Sequence, residues 1–524
     1  MMQAFWSSSR IRQWWLPAFL FATFVGAQVV TLHGSGFDGL YGQDSFAYYD
    51  YAVGPLLAAL RGGGGMPAFT WPPGYPLILA LVSLLVGQTP LAGQLVSLTA
   101  GALVPVFTWL LAEELWGRDH PGSAVPLVAA LLAGCMGQLW QSSAVVMADT
   151  TALAAATMGA WALARFGRTQ GRGWLWLAAA GMAFAVLTRW AYALVALPIT
   201  AYALMVLVQM ARGRGWREAT LAAVVAAVVV GLVLQPLWLP LRQFLAGQPG
   251  QNYLVDLDVY SWRPLNALRH QFVTADGLLQ YRLPNGLYYA LTPLHRYFLT
   301  PLLAGLLLPG LWALWREWQG GRMWLLAGWW GVVLVFHAGA PWQNFRFVLA
   351  FMPPAAVVAA VGWSWVRDWL PRRWRWLAGV WLVVGLLLMG VGGGTLTRGF
   401  VARKAADLRT VAWVAGEMPA QSQLLAFQLT ATLQHYTRID TTELYFTPPS
   451  ALPAWLSSAR PAYLLIDVAN VESQWSDMTP GQTYHWLRDR GGLIPVGQRQ
   501  SYTLFRVVSD STGCNGGEFP RPEE

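Results

Sequence analysis

Two aspartates stand where a carboxylate could take or orient a hydroxyl proton. Asp44 follows the first long apolar run, inside the aromatic stretch Leu40-Tyr41-Gly42-Gln43-Asp44-Ser45-Phe46-Ala47-Tyr48-Tyr49. If a helix starts here, Tyr48 lies one turn from Asp44 on the same face. Asp149 occupies a second such step, Val145-Val146-Met147-Ala148-Asp149-Thr150-Thr151, where another apolar run begins. Aspartate is among the best helix N-caps, and capping alone accounts for either residue in isolation. Acid–base chemistry requires that a carboxylate reach a substrate hydroxyl, and one membrane face bearing both groups would allow it.

Two lone arginines occupy comparable places, Arg189 in Leu187-Thr188-Arg189-Trp190 and Arg346 in Gln343-Asn344-Phe345-Arg346-Phe347. An arginine at an interface either snorkels to lipid head groups or holds a phosphate by charge-assisted hydrogen bonds; the pattern leaves both open. In Phe69-Thr70-Trp71-Pro72-Pro73-Gly74-Tyr75-Pro76 the paired prolines set an extended entry into a short apolar helix. A rigid turn with no chemistry reads the same way. Lys404 is the one lysine, so a lysine nucleophile is excluded from the apolar part of the chain. Cys135 and Cys514 make neither a disulfide framework nor a zinc cluster. His337 has no second histidine at helical spacing and reads as structural, and no phosphate-cradling loop or acyl-transfer elbow occurs.

The elements that position these residues are membrane spans. Of 524 residues 56% are hydrophobic and only 11% charged, against about 25% charged in soluble chains. Apolar runs at 14–33, 91–115, 123–142, 149–166, 173–190, 191–211, 218–240, 297–315, 322–340, 347–366 and 376–396 predict about eleven spans of about 20 residues. The run at 75–88 is short, and the basic loops sort to one side only if it is re-entrant or interfacial. The arginine groups around Arg10, Arg118, Arg168, Arg214, Arg316 and Arg372 then fall on the cytoplasmic side, with the N-terminus and an uncleaved first span. Asp44, Asp149, Arg189 and Arg346 fall on the opposite side. The net charge of +9 is split into these small groups, which argues against nucleic acid.

A long outer loop at 241–296 carries Trp262, Arg263, His270, Tyr281, Arg282, Tyr288, Tyr289 and Arg296, a mixture suited to interfacial helices and lipid head groups. After the glycine-rich stretch 390–394 the composition becomes that of a soluble domain. Helical periodicity at 401–417 and β-like runs at 424–427, 463–466, 493–496 and 502–507 predict a small extracytoplasmic α/β domain. The expected organisation is a membrane domain at 1–400, the α/β domain at 401–508 and a disordered tail at 509–524. His435, Asp440 and Glu443 read as a solvated face.

In order and spacing the motifs resemble the GT-C membrane glycosyltransferases, specifically the bacterial relatives of protein O-mannosyltransferases and of the lipid A aminoarabinose transferase. The resemblance covers about 10–400 and rests on Asp44 to Tyr49, Trp71 to Pro76, Asp149, Leu187-Thr188-Arg189, and Asn344 to Phe347 leading to Pro353-Pro354. It implies a polytopic α-helical GT-C fold that transfers a sugar from a polyprenyl-phosphate donor to a hydroxyl acceptor at the outer face of the cytoplasmic membrane. The acceptor is a protein, a glycolipid or a polysaccharide. By the same resemblance Asp44 is the base or acceptor-orienting carboxylate and Asp149 a second acid. Tyr48, Tyr49, Trp71, Tyr75, Arg189, Gln343, Asn344 and Arg346 contact substrate. Attack by the acceptor in one displacement inverts the anomeric carbon.

Two departures alter that expectation. Some relatives carry a phosphate-holding lysine just before the paired prolines, where this chain has Trp71, so the cationic role passes to Arg346, Arg189 or an arginine of the long loop. The first loop also lacks an Asp-any-Asp pair, which favours a reaction without metal or other cofactor. The C-terminal domain is expected to recognise the acceptor or cover the cavity. A transporter or flippase for a lipid-linked solute is the alternative. It predicts matching broken helices in two halves and polar residues at mid-membrane, whereas the sequence shows no internal repeat. A scaffold would have no need of Asp44.

Overall fold

The computed structural model describes residues 9–67, 69, 71–238, 262–317, 321–458 and 460–508. The expected tail at 509–524, Cys514, Thr70 and the first part of the long loop lie outside the described residues. The chain forms two compact units, one of residues 1–270 and 281–401, the other of 271–280 and 402–524.

In the first unit each long apolar run is helical. The helices are α1 (Ser9–Leu32), α2 (Gly42–Tyr51), α3 (Gly74–Val86), α4 (Pro90–Ala112), α5 (Val125–Cys135), α6 (Gly137–Ala144), α7 (Asp149–Thr169), α8 (Arg172–Thr188), α9 (Tyr192–Arg214) and α10 (Trp216–Val233). After the long loop come α11 (Leu307–Arg316), α12 (Gly321–Gly339), α13 (Met352–Trp369) and α14 (Arg375–Glu417). Among the described residues six helices are long and apolar enough to cross a membrane, or seven if α5 and α6, bent by 56°, make one span. Shorter apolar helices, including α3 and α8, accompany them. The chain is a multi-pass membrane protein. The run at 297–315, expected as one span, is broken between Thr300–Ala304 and α11. The α5–α6 pair is the one bent pair of this kind among the described residues, where alternating access calls for two that match.

Helix α4 runs on through a π-turn, Glu113–Gly117. At 1.5 Å per residue Glu114 lies about 30 Å from Gly93, the thickness of a hydrocarbon core. Glu114, its side chain 2% exposed, collects Arg118 at 3.0 Å, Arg168 at 3.6 Å and a bond from Arg165. Arg168 also pairs Asp119 at 2.8 Å. This network ties the end of α4 to the end of α7. Removing a buried partner strands the opposite charges, so Glu114→Ala is expected to cost about 3–5 kcal/mol. The measurement is the thermal midpoint of the purified protein in detergent; a drop no larger than that of a half-buried Glu218→Ala control, which loses a single arginine partner, would refute it.

The second unit holds a five-stranded sheet ordered β4-β3-β5-β7-β6, of β3 (Gln423–Ala426), β4 (Asp440–Glu443), β5 (Ala462–Asp467), β6 (Leu493–Arg499) and β7 (Tyr502–Val507). β3 pairs parallel with β4 and β5, while β7 runs antiparallel to β5 and β6. Side chains alternate across the strands. Leu424, Leu465 and Leu504 pack with Val411 and Val414 of α14 and with Met418 just after it on one face, and Leu425, Leu464 and Ile466 with Trp475 and Leu487 on the other. Two features differ from the sequence reading. Glu443 is not on a solvated face: it accepts from Tyr445 N at 3.2 Å, and burial pushes its carboxyl above the usual range. A hairpin, β1 (Gln271–Thr274) with β2 (Gly277–Gln280), joins this unit from the long loop. Leu278 N donates to Gln474 O at 2.8 Å and Gln474 Nε2 to Asp276 O at 2.6 Å.

Candidate active site

Neither aspartate caps its helix. The residue before α2 is Tyr41, that before α7 is Ala148, and neither end has a side-chain cap. Both carboxylates turn to arginine instead. Arg346 Nη2 donates to Asp44 Oδ2 at 2.8 Å, and Arg346 Nε lies 3.3 Å from Asp149 Oδ2. Asp149 Oδ1 takes a bond from Arg189 Nη1. The order Asp44, Arg346, Asp149, Arg189 is therefore one alternating chain of charge. Two carboxylates and two guanidinium groups sum to zero, which lets the cluster exist beside apolar helices. Exposure separates the acids: the Asp149 side chain is 3% exposed and that of Asp44 33%. A hydroxyl can reach Asp44, while Asp149 is enclosed by the cations it holds.

The backbone around Asp149 is fixed by polar contacts to α4. Ser97 Oγ accepts from Met147 N at 3.2 Å, Thr150 Oγ1 donates to Ser97 O at 3.0 Å, and Gln94 Nε2 donates to Ala144 O at 3.1 Å. Tyr75, fully buried, donates to Gly93 O at 2.9 Å and shares a hydrogen bond of 2.9 Å with Ser97 Oγ. Its ring meets Tyr48 at 5.4 Å, and Tyr48 also packs on Trp71 at 5.0 Å and Phe69 at 5.6 Å. Burial pushes the Tyr48 phenol well above its ordinary range, so the group stays protonated and can donate. Tyr49 is used differently, its hydroxyl donating to Gln88 O at 2.8 Å.

Gly74, the first residue of α3, explains how the paired prolines and Arg189 come together. A Cβ there would lie 2.6 Å from Thr188 Oγ1 and 2.8 Å from Leu187 O, so only glycine lets α3 touch the end of α8. Gly74→Ala must push the 187–189 backbone away and displace Arg189. We expect it to destabilise by about 1–3 kcal/mol, the range for overpacking, with a loss of activity beyond what the remaining folded fraction explains. Thermal melts and rates on the same sample check it; full activity would refute it.

Arg346 is held by a support that the sequence did not mark. Asn344 Oδ1 accepts from Arg346 N at 2.9 Å and caps the 3-10 turn Phe345–Phe351. Gln343 Nε2 donates to Leu283 O at 2.6 Å and to Asn285 Oδ1 at 2.9 Å. Tyr289 donates to Trp342 O at 2.6 Å, and its ring stacks on His337, which stacks on Phe347. The guanidinium carbons of Arg189 and Arg346 lie 5.7 and 5.8 Å from the Phe347 ring centre. Both cations thus share one aromatic platform. Gln343 Nε2 and Asn344 Oδ1, on residues expected as substrate contacts, are engaged in building this loop. Tyr289, Asn285 and Ser97 were missed as site residues because a buried tyrosine, asparagine or serine has no periodic signature. Among the described residues no group of three or more His, Cys, Asp or Glu could hold a metal.

Comparisons with known proteins bear on this geometry. The family model "dolichyl-phosphate-mannose-protein mannosyltransferase" matches residues 70–238. The crystal structure of ArnT from Cupriavidus metallidurans bound to undecaprenyl phosphate aligns with a TM-score of 0.61 at 14% identity, covering 93% of this chain and 98% of that one. The oligosaccharyltransferase of Archaeoglobus fulgidus, tethered with an acceptor peptide, aligns at 0.53 and 10% identity, covering 96% of this chain and 75% of its own. No curated protein sequence matches the chain. The fold is the GT-C fold of membrane glycosyltransferases.

Proposed function

We propose that the chain transfers a sugar from a polyprenyl-phosphate donor to a hydroxyl of a protein, glycolipid or polysaccharide at the outer face of the cytoplasmic membrane. The observation that carries this reading is the Asp44-Arg346-Asp149-Arg189 chain, set at one end of a GT-C helical bundle with only its first carboxylate open. The ArnT neighbour was solved with undecaprenyl phosphate, which supports a lipid phosphate as the leaving group.

In this reading Asp44 accepts or orients the acceptor proton while the acceptor oxygen attacks the anomeric carbon. The carbon–oxygen bond to the lipid phosphate breaks in the same displacement, and the sugar is inverted. The leaving phosphate gains one negative charge. Arg346 and Arg189 stabilise that charge, already placed by Asp149 and Phe347 so that little reorganisation is needed. Asp149 is a positioning residue, since the guanidinium groups surround it. Tyr48 adds a hydrogen-bond donor, and Trp71 a flat apolar wall for the sugar.

The test is transfer from a panel of radiolabelled polyprenyl-phosphate sugars to membrane extract by the purified protein. Transfer from one or a few of them is expected, with label at inverted configuration in the product. No transfer from any donor, beside an active control enzyme, would overturn the proposal.

A further inference from the structure

The turn between α13 and α14 carries positive charge that no acid of the fold answers. Both helices belong to segments long and apolar enough to cross a membrane, Phe345–Trp369 and Arg372–Glu417, and only Leu370 and Pro371 separate them. A connection that short cannot leave the membrane surface. α13 has 18 residues, about 27 Å of helix, so the turn lies at the surface opposite to Arg346, which stands before the helix begins. It is a place apart from the Asp44-Arg346-Asp149-Arg189 chain.

Hydrogen bonds fix the shape of the turn. Pro371 holds Leu370 in an extended conformation and opens a 3-10 turn, Arg372–Trp374. Trp374 N donates to Pro371 O at 2.7 Å, and buried Trp363 ties the two helices by donating to Ala378 O at 2.8 Å. Residues three apart on such a turn eclipse, which puts Arg372 and Arg375 on one side. Arg372, Arg373 and Arg375 are all exposed, and among the described residues none has an acidic partner. Asp368, the one acid within 363–376, is taken by Arg367 at 2.9 Å. Arg375 Nε donates to Leu370 O at 3.4 Å and Arg373 lies 5.8 Å from the Trp374 ring centre, which leaves the terminal nitrogens of both open. At other helix ends the charges balance: Arg118, Arg165 and Arg168 share Glu114 and Asp119, and Arg172 pairs Glu218. Around the three arginines Trp369, Trp374 and Trp376 are 75%, 44% and 61% exposed, so the chain itself covers neither the charges nor the indoles.

We propose that this turn is a binding site for the anionic head groups of phospholipids in the adjoining leaflet. A guanidinium fork matches a phosphodiester in shape and charge. Indole rings settle at the level of the head groups, where one end is apolar and the other wet. A zwitterionic lipid brings its own cation to the arginines, whereas phosphatidylglycerol brings net negative charge and takes up the excess. A soluble anion answers the arginines but not the three indoles. The site does not depend on the glycosyltransferase reading.

The test uses the full-length protein in neutral detergent with added phosphatidylglycerol, phosphatidylcholine or inorganic phosphate. Native mass spectrometry counts bound lipid, and the thermal midpoint is followed in parallel. Wild type is expected to bind phosphatidylglycerol in preference to phosphatidylcholine, less strongly as salt is raised, and to melt higher with it. The variant Arg372→Gln/Arg373→Gln/Arg375→Gln is expected to bind phosphatidylglycerol about 100-fold more weakly, at about fivefold for each arginine near a head group, with phosphatidylcholine unchanged. Arg372→Gln alone removes a side chain with no partner in the fold to lose; it should weaken binding about fivefold and replaces the triple variant should that one fail to fold. Arg61→Gln, at an exposed arginine of the short helix Leu57–Gly62, should change nothing. Equal affinity of wild type for the two lipids overturns the proposal. So does an undiminished preference in a folded glutamine variant, or the same loss in Arg61→Gln. If inorganic phosphate raises the midpoint as much as phosphatidylglycerol does, the turn binds a soluble anion and the lipid assignment fails.

Discussion

Asp44→Asn is expected to lower the rate of transfer by about 10²–10⁴-fold at saturating donor, the contribution of a positioned general base. The substitution is nearly isosteric, and the asparagine carbonyl can still accept from Arg346 Nη2, which now sits 2.8 Å from Asp44 Oδ2. Fold and donor binding should therefore persist. The loss belongs in kcat, since a proton acceptor is missing in the transition state while the ground-state contacts remain. Initial rates, an inhibition constant for undecaprenyl phosphate and a melting curve measured on the same preparation separate these effects. A folded Asp44→Asn protein that works at the wild-type rate would take Asp44 out of the reaction.

Asp149→Ala should have the largest effect on stability within the site. Its carboxylate is shared by Arg189 and Arg346 and is nearly closed to solvent. Loss of such a partner leaves Arg189 without its carboxylate and Arg346 with Asp44 alone, at an expected cost of about 3–5 kcal/mol. Coupling gives the sharper test. In Asp149→Asn with Arg189→Gln, one stranded charge goes with its partner, and Asp44 remains for Arg346. The double variant should be more stable than Asp149→Asn alone, with a favourable interaction energy of about 0.5–3 kcal/mol between the two changes. Simple additivity of the two melts would show that the ion pair is not what holds these residues.

All four charged residues of the site were legible in the sequence, because aspartate and arginine at the ends of apolar runs are costly and therefore conspicuous. Their pairing was not. Asp44 and Arg346 stand 302 positions apart, and nothing local records which arginine meets which acid. Capping, the rival explanation for both aspartates, is a local rule that the structure replaces with a tertiary contact. His337, read in the sequence as structural, stacks on Phe347, and its place there depends on Tyr289 from a different segment.

The α/β unit shows the same division. Strands β3, β5, β6 and β7 lie where hydrophobic runs predicted them. β4 was missed because Asp440-Thr441-Thr442-Glu443 is an edge strand of polar residues, with its order set by pairing to β3. The glycine-rich stretch at 390–394 marks no helix break; α14 runs through it. A Cβ on Gly393 would come 3.1 Å from Gly137 Cα, so this one glycine of the stretch serves a close helix crossing. The joining of the hairpin at 271–280 to the second unit is not visible in composition, since it depends on Gln474, 198 positions from Asp276.

The sequence by itself determined that this is a multi-pass helical chain with a small α/β unit, and which charged residues had to be accounted for. Hydropathy and charge act over short windows and can be read one segment at a time. Only the tertiary structure decided that Asp44 and Asp149 share one arginine, that one acid is open and the other closed, and that an aromatic platform carries both cations. Those properties belong to contacts between distant segments, where the packing of helices sets distances that no local pattern encodes.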